Sequence, residues 1–234
     1  MFISQRSDNY IVVGSKPWNY QVFKEILENQ EGNWHFINSK DVLVIDNIKS
    51  ISPRYIFFLH WSFKVPDEII NNYECVCFHM TDVPYGRGGS PLQNLIVRGH
   101  QDTKLTALKM TQEFDAGAVY CKENLCLAGN AEEIYIRATY LSVQMIQYII
   151  QEQPKPIDQS GEVTIFKRRK PADSEIPEVK DLPKLHDFIR MLDAEGYPHA
   201  YIEHQGFKYS FRRSALYDGR IVADVTITPI GKEE

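Results

Sequence analysis

Apolar residues along the chain fall into short continuous runs that alternate with segments of helical spacing. Residues 10–15 (YIVVGS), 34–39 (WHFINS), 55–61 (YIFFLHW) and 74–80 (ECVCFHM) read as strands. Their runs are uninterrupted, as in strands covered on both faces. Between the first two, Val22, Phe23, Ile26 and Leu27 recur at helical spacing behind Lys16-Pro17, where proline suits a helix start. Residues 65–70 open another helix, with Pro66, Asp67 and Glu68 at its N-terminus. Ser90-Pro91 starts a helix that stops near Gly99, and residues 103–111 and 118–127 read as two further strands. Residues 130–153 form a long amphipathic helix with Asn130 as N-cap and Glu133 at the capping-box position.

Strands alternating with helices predict an α/β fold with a mostly parallel, Rossmann-like sheet. Pro154 to Gly161 breaks this order. The segment beyond it is extended and basic. A helix over 181–195 and three strands over 200–204, 207–211 and 220–227 follow, separated by HQG and YDG turns. The predicted organisation is therefore a core over 1–153, a linker over 154–180 and a small α+β subdomain over 181–234.

Composition narrows the function class. The chain has 234 residues, 43% hydrophobic and 24% charged, which suits a packed domain with an appendage. Its net charge of −5 argues against a strongly basic nucleic-acid binder, so no nucleic-acid partner is expected. No apolar run reaches the roughly 20 residues of a membrane span. The first ten residues, MFISQRSDNY, are too polar and short for a secretory signal. Cys75 and Cys77 alternate within one strand and point to opposite faces, which makes a poor metal pair. Together with Cys121 and Cys126 they read as thiols of a reducing cytoplasm. No metal is expected.

Two irregular stretches carry the candidate chemistry. The first, FHMTDVPYGRGGSPLQ (78–93), begins where a strand ends, the position at which open parallel sheets bind ligands. It holds His79 and a glycine loop leading to a helix start, where backbone N–H groups suit an anion or a polar heterocycle. A tight surface turn explains the same glycines. GRGGS lacks the Lys-Ser/Thr ending of a Walker loop. The second, MTQEFDAGAVY (110–120), places Asp115 and Gly117 between two strands. It reads either as a turn or, beside His79, as half of an acid–base pair.

Taken together, HMTDVPYGRGGSPLQNLI, TKLTALKM and FDAGAVY resemble the folate-dependent formyltransferases. That family pairs a His-x-x-x-x-Pro-x-x-x-Gly loop with a later Leu-Asp-Ala/Thr-Gly motif. The resemblance is strong over residues 55–150 and rests on strand–helix order before that. It implies a Rossmann-like core using 10-formyltetrahydrofolate as formyl donor, with His79 and Asp115 as the catalytic pair. The family's Asn two residues before the His is replaced by Cys77, a weak donor toward an oxyanion. Either His79 and backbone amides carry that charge, or activity is reduced. The resemblance places the pteridine against Thr111, Gln112, Glu113 and Phe114, with His60, Trp61 and Ser62 as the other wall.

Three acceptors compete: methionyl-tRNA, glycinamide ribonucleotide and an amino-sugar nucleotide. The chain is acidic and its appendage small, and its tail (FKRRK, then IRMLDAEGYPHAY) looks like that of sugar N-formyltransferases of pseudaminic (nonulosonic) acid synthesis. The expected acceptor is therefore a UDP-linked 4-amino-4,6-dideoxy sugar. Its expected contacts are Lys16, Trp18, Tyr85, Arg87, Gly88, Gly89, Lys167, Arg168 and Arg169, since guanidinium groups suit phosphate and aromatic rings suit uracil. A solvated basic strand explains FKRRK equally. A methionyl-tRNA formyltransferase-like enzyme and a non-catalytic folate- or nucleotide-binding relative are the alternatives. The C-terminal strands offer an edge for a homodimer.

Overall fold

The computed structural model describes residues 8–231. Most of the N-terminal stretch read against a secretory signal lies outside them. The elements run β1 (Asn9–Gly14), α1 (Pro17–Glu25), β2 (Asn33–Ile37), α2 (Ile45–Ile51), β3 (Tyr55–Leu59), α3 (Asp67–Asn72), β4 (Cys75–His79), β5 (Arg87–Gly88), α4 (Pro91–Val97), β6 (Asp102–Lys109), β7 (Val119–Cys126), α5 (Ala131–Glu152), β8 (Ile165–Phe166), α6 (Leu182–Arg190), β9 (Ala200–His204), β10 (Phe207–Tyr217) and β11 (Arg220–Pro229).

The main sheet has six strands in the order β2-β1-β3-β4-β6-β7. Strands β2, β1, β3 and β4 are parallel, and β6 joins antiparallel to β4. Alternation along the strands gives each face its own layer. Ile11, Val13, Ile56, Phe58 and Cys75 pack with Ile48 of α2 and Ile69 of α3. Strand β1 reads as one apolar run because Tyr10 and Val12, which point the other way, are buried as well. Helix α1 contributes Trp18, Val22 and Phe23 to the core. Its buried Asn19 is kept from being an orphan by Thr139 of α5, whose Oγ1 lies 3.3 Å from Asn19 Nδ2.

The chain divides into two compact units that interleave in sequence: Met1–Arg87, Lys104–Leu125 and Ile136–Ile165 form one; Gly88–Thr103, Cys126–Tyr135 and Phe166–Glu234 form the other. The second unit holds the three-stranded sheet β11-β10-β9 with α6 against it. Arg190 of α6 donates to the carbonyls of Leu127 and Gly129, and Gln93 of α4 donates to Tyr135 and the Met191 carbonyl. The predicted cap of α5 forms in full: the Asn130 N–H donates to Glu133 and the Glu133 N–H to Asn130 Oδ1, at 2.8 and 2.9 Å.

Two local expectations change. No helix is predicted between residues 39 and 55, yet α2 lies there, with no side-chain cap and only seven residues to show its period. The glycine loop is partly sheet, since β5 pairs with β8. None of the four cysteines is in a disulfide. Among the described residues, no helix is long and apolar enough to cross a membrane.

Candidate active site

His79 is the last residue of β4, 8% exposed, at the carboxyl edge of the parallel strands. Its Nε2 lies 2.8 Å from the Gly86 carbonyl, so this nitrogen must carry the proton and donate. Its Nδ1 lies 3.4 Å from Asp115 Oδ1. Both ring nitrogens thus face acceptors. A doubly protonated ring satisfies both, which suits a group that holds a proton and hands it on.

The loop that supplies Gly86 is fixed by buried hydroxyls. Thr81 donates to the same Gly86 carbonyl at 3.2 Å, and Thr106 of β6 donates to the Thr81 carbonyl at 2.7 Å. Lys122 of β7 pairs with Asp82 at 2.6 Å. Asp115 sits in the turn between β6 and β7 with φ of 54°, a left-handed conformation that Asp tolerates better than most residues. Two residues on, Gly117 is mandatory for a different reason. A Cβ there would lie 1.8 Å from the Lys109 carbonyl oxygen.

Cys77, two residues before His79, is partly buried on the same strand. Burial, and then the Asp115 carboxylate, push its thiol well above the ordinary range, so it stays neutral. Arg87 is 15% exposed. Its Nη1 lies 3.6 Å from Glu113, whose carboxylate is in solvent. Thr111 closes its own turn by donating to the Glu113 carbonyl at 2.8 Å, and Gln112 is exposed. Phe114 is 71% exposed, an apolar ring presented to solvent from the loop that carries Asp115. Tyr85 lies partly buried in the glycine loop.

A second group gathers at the ends of β1 and β3. Trp61 packs edge-on to Phe63 at 5.2 Å, and Ser62 is exposed. Lys16 lies over the Trp18 ring at 5.9 Å. Trp18, expected to meet a substrate ring, is only 6% exposed. Its ring fills the core beneath α1 and is not free to stack on a ligand. His60 is held neutral: burial lowers its pKa to about 4, and nearby Lys16 adds to the shift. The unfolded chain, with an ordinary value near 6.5, therefore takes up the proton first. This contribution to stability is complete above pH 6.5 and declines as the pH falls toward 4. The slope is about 1 kcal/mol per pH unit. Thermal unfolding at pH 7 and pH 5 measures it. His60→Asn, which keeps the left-handed backbone, flattens the difference; an unchanged slope removes His60 as its source.

The remaining predicted contacts belong to the second unit. Gly89 was expected to leave room for a ligand, but a Cβ there would come within 2.4 Å of Arg168 Cβ. The glycine admits the chain's own strand: its N–H donates to the Phe166 carbonyl at 3.1 Å. Gly88 lies in β5 with φ of 101°. The Lys167 carbonyl accepts from Asn94, the Arg169 N–H donates to Ser90, and the Arg169 guanidinium lies over Phe188 at 5.4 Å. Lys167 and Arg168 are exposed.

One residue that sequence reasoning missed joins the site. Gln159 donates to the carbonyls of Asp115 and Gly117, each at 2.8 Å, and accepts from Arg87 Nε at 3.0 Å. No local signal marks a Gln in a Pro- and Gly-flanked segment.

The chain is similar in sequence and fold to known proteins. The family model described as "Methionyl-tRNA formyltransferase, C-terminal domain" matches residues 171–228. The solved methionyl-tRNA formyltransferase from Clostridium thermocellum is 45% identical, with a TM-score of 0.92, covering 94% of this chain and 99% of that one. A methionyl-tRNA formyltransferase of Clostridium botulinum (strain Alaska E43 / Type E3) is 25% identical over 82% of this chain, and the chain spans 65% of that protein's length. HypX from Aquifex aeolicus, solved in complex with tetrahydrofolic acid, shares the fold at 16% identity, with a TM-score of 0.72 over 88% of this chain and 37% of that one. Solved 4-N and sugar N-formyltransferases from Francisella tularensis and a Shewanella species are alike in fold, also at 16% identity.

These likenesses overturn the expected UDP-amino sugar acceptor and the expected absence of a nucleic-acid partner. The second rested on the net charge of −5; the first rested on that charge, the small appendage and a tail that looked like those of sugar N-formyltransferases, whereas residues 171–228 match the methionyl-tRNA formyltransferase model. Net charge averages over all faces, whereas phosphate contact depends on local cations. The C. thermocellum protein, matched over 99% of its length, is equally short.

Proposed function

Since this chain belongs to the formyltransferase family, we propose that it transfers a formyl group from 10-formyltetrahydrofolate to the α-amine of methionyl-tRNA. The observation that carries the reading is the pairing of buried His79, at the end of β4, with the partly buried Asp115 of the β6–β7 turn, in a chain 45% identical to a protein described by that activity.

The chemistry follows from the two side chains. The amine nitrogen forms a bond to the formyl carbon, and the carbonyl oxygen takes up the negative charge. Protonated His79 stabilises that oxyanion and passes a proton to the folate nitrogen as its bond to the formyl carbon breaks. Asp115 balances the imidazolium and accepts the proton that the amine loses. The products are a formamide and tetrahydrofolate with its N–H restored. At 3.4 Å the His79–Asp115 contact is longer than a charge-assisted hydrogen bond, and substrate binding is expected to tighten it.

With the weak donor Cys77 at the position of the family's Asn, His79 and backbone amides supply the oxyanion contacts. Thr111 to Phe114 and His60 to Ser62 serve as the walls for the donor. The exposed cations Lys167, Arg168 and Lys170 supply candidate contacts for the RNA backbone. Radiolabelled formyl donor incubated with protein and methionyl-tRNA tests the reading. Label is expected in acid-insoluble RNA, and label that remains wholly soluble refutes it.

A further inference from the structure

The segment that follows α5 returns over the site. Ile157 and Val119 exchange both backbone hydrogen bonds, at 2.8 and 2.9 Å. Thr164 then donates to the Pro84 carbonyl at 3.1 Å and accepts from the Arg87 N–H at 2.9 Å. Gln159 lies between these two anchors. One face of its amide meets two carbonyls, which only accept; the other meets a guanidinium, which only donates. That assigns Nε2 and Oε1 without ambiguity and uses both Nε2 hydrogens.

We propose that Gln159 is a positioning residue for formyl transfer, clamping the Asp115 turn so that its carboxylate faces His79 and tying that turn to Arg87. The inference rests on the function proposed above. The turn requires such a clamp. Asp115 is held at φ of 54°, which an L-residue adopts only at a cost that its surroundings must offset. Released from Gln159, the backbone at Asp115 relaxes and the carboxylate swings off the imidazole. No other residue type fits as well. A carboxylate would oppose both carbonyls, and an ammonium would oppose Arg87.

The test compares wild type, Gln159→Ala and Gln159→Glu in steady-state transfer from 10-formyltetrahydrofolate to methionyl-tRNA. The ¹⁵N resonances of the His79 ring are recorded on the free proteins and assigned by their loss in His79→Ala. Both variants are expected to lose about 30-fold in kcat with KM for either substrate within about twofold, and to shift the His79 ring resonances. Gln159→Glu keeps the acceptor for Arg87 and nearly the same shape, so it carries the test should the alanine variant fail to fold. Wild-type kcat in Gln159→Glu overturns the proposal, as does a lowered melting temperature with kcat retained. Should wild type transfer no formyl group to methionyl-tRNA, the acceptor reading falls and the ring resonances decide alone: a shift upholds the clamp, and unmoved resonances reject it.

Discussion

His79→Ala is expected to lower formyl transfer by about a thousandfold while folate binding is largely kept. The imidazole faces Asp115 at 3.4 Å and can hold a transferable proton at the end of β4. General acid–base groups contribute roughly 10²- to 10⁴-fold, and oxyanion stabilisation by the same ring adds to that. The fold is expected to survive. The Gly86 carbonyl keeps its hydrogen bond from Thr81 at 3.2 Å, so truncation leaves no buried acceptor orphaned. Turnover measured beside fluorescence titration of the donor separates the two effects. Activity within tenfold of wild type would remove His79 from the mechanism.

Gly117→Ala tests the same site through its backbone. A methyl group 1.8 Å from the Lys109 oxygen lies far inside any van der Waals contact, and the clash is with main chain rather than a flexible tip. The β6 end cannot simply step aside, because the Lys109 N–H donates to the Ala118 carbonyl at 2.8 Å. The start of β7 must part from β6, and the Gly117 carbonyl then leaves Gln159. A loss of about 3 kcal/mol is expected, with a fall in Tm of roughly 6–12 °C. Formyl transfer declines with it, since Asp115 moves with the turn. Thermal unfolding with a parallel activity assay reads both. A variant as stable and active as wild type would show that the turn tolerates a side chain and that Asp115 is not held there.

The sequence made the sheet readable where strands are buried on both faces. The run from Tyr55 to Leu59 is continuous because Phe57 and Phe58 point to opposite layers and both are buried. The start signals at Ser90-Pro91 and Asn130 were equally local, and so were the HQG and YDG turns of the C-terminal sheet. What escaped were features set by distant partners. Strand β5 has two residues and exists only because β8 pairs with it. Trp18 resembled a ligand contact because an aromatic ring in a strand–helix turn does not reveal whether a helix will bury it. Gln159 reaches Asp115 across 44 residues. The proximity of His79 and Asp115, 3.4 Å apart, was legible because one ends a strand and the other sits in a turn between two strands, each in a loop with a recognisable spacing. The acceptor could not be read from composition, because net charge carries no information on where cations cluster.

The most direct measurement is the mass of the aminoacyl group released from methionyl-tRNA after incubation with the protein and 10-formyltetrahydrofolate. The account predicts N-formylmethionine, formed only when protein and donor are both present and lost in His79→Ala. Unmodified methionine, with donor and aminoacyl ester shown to be intact, would contradict it.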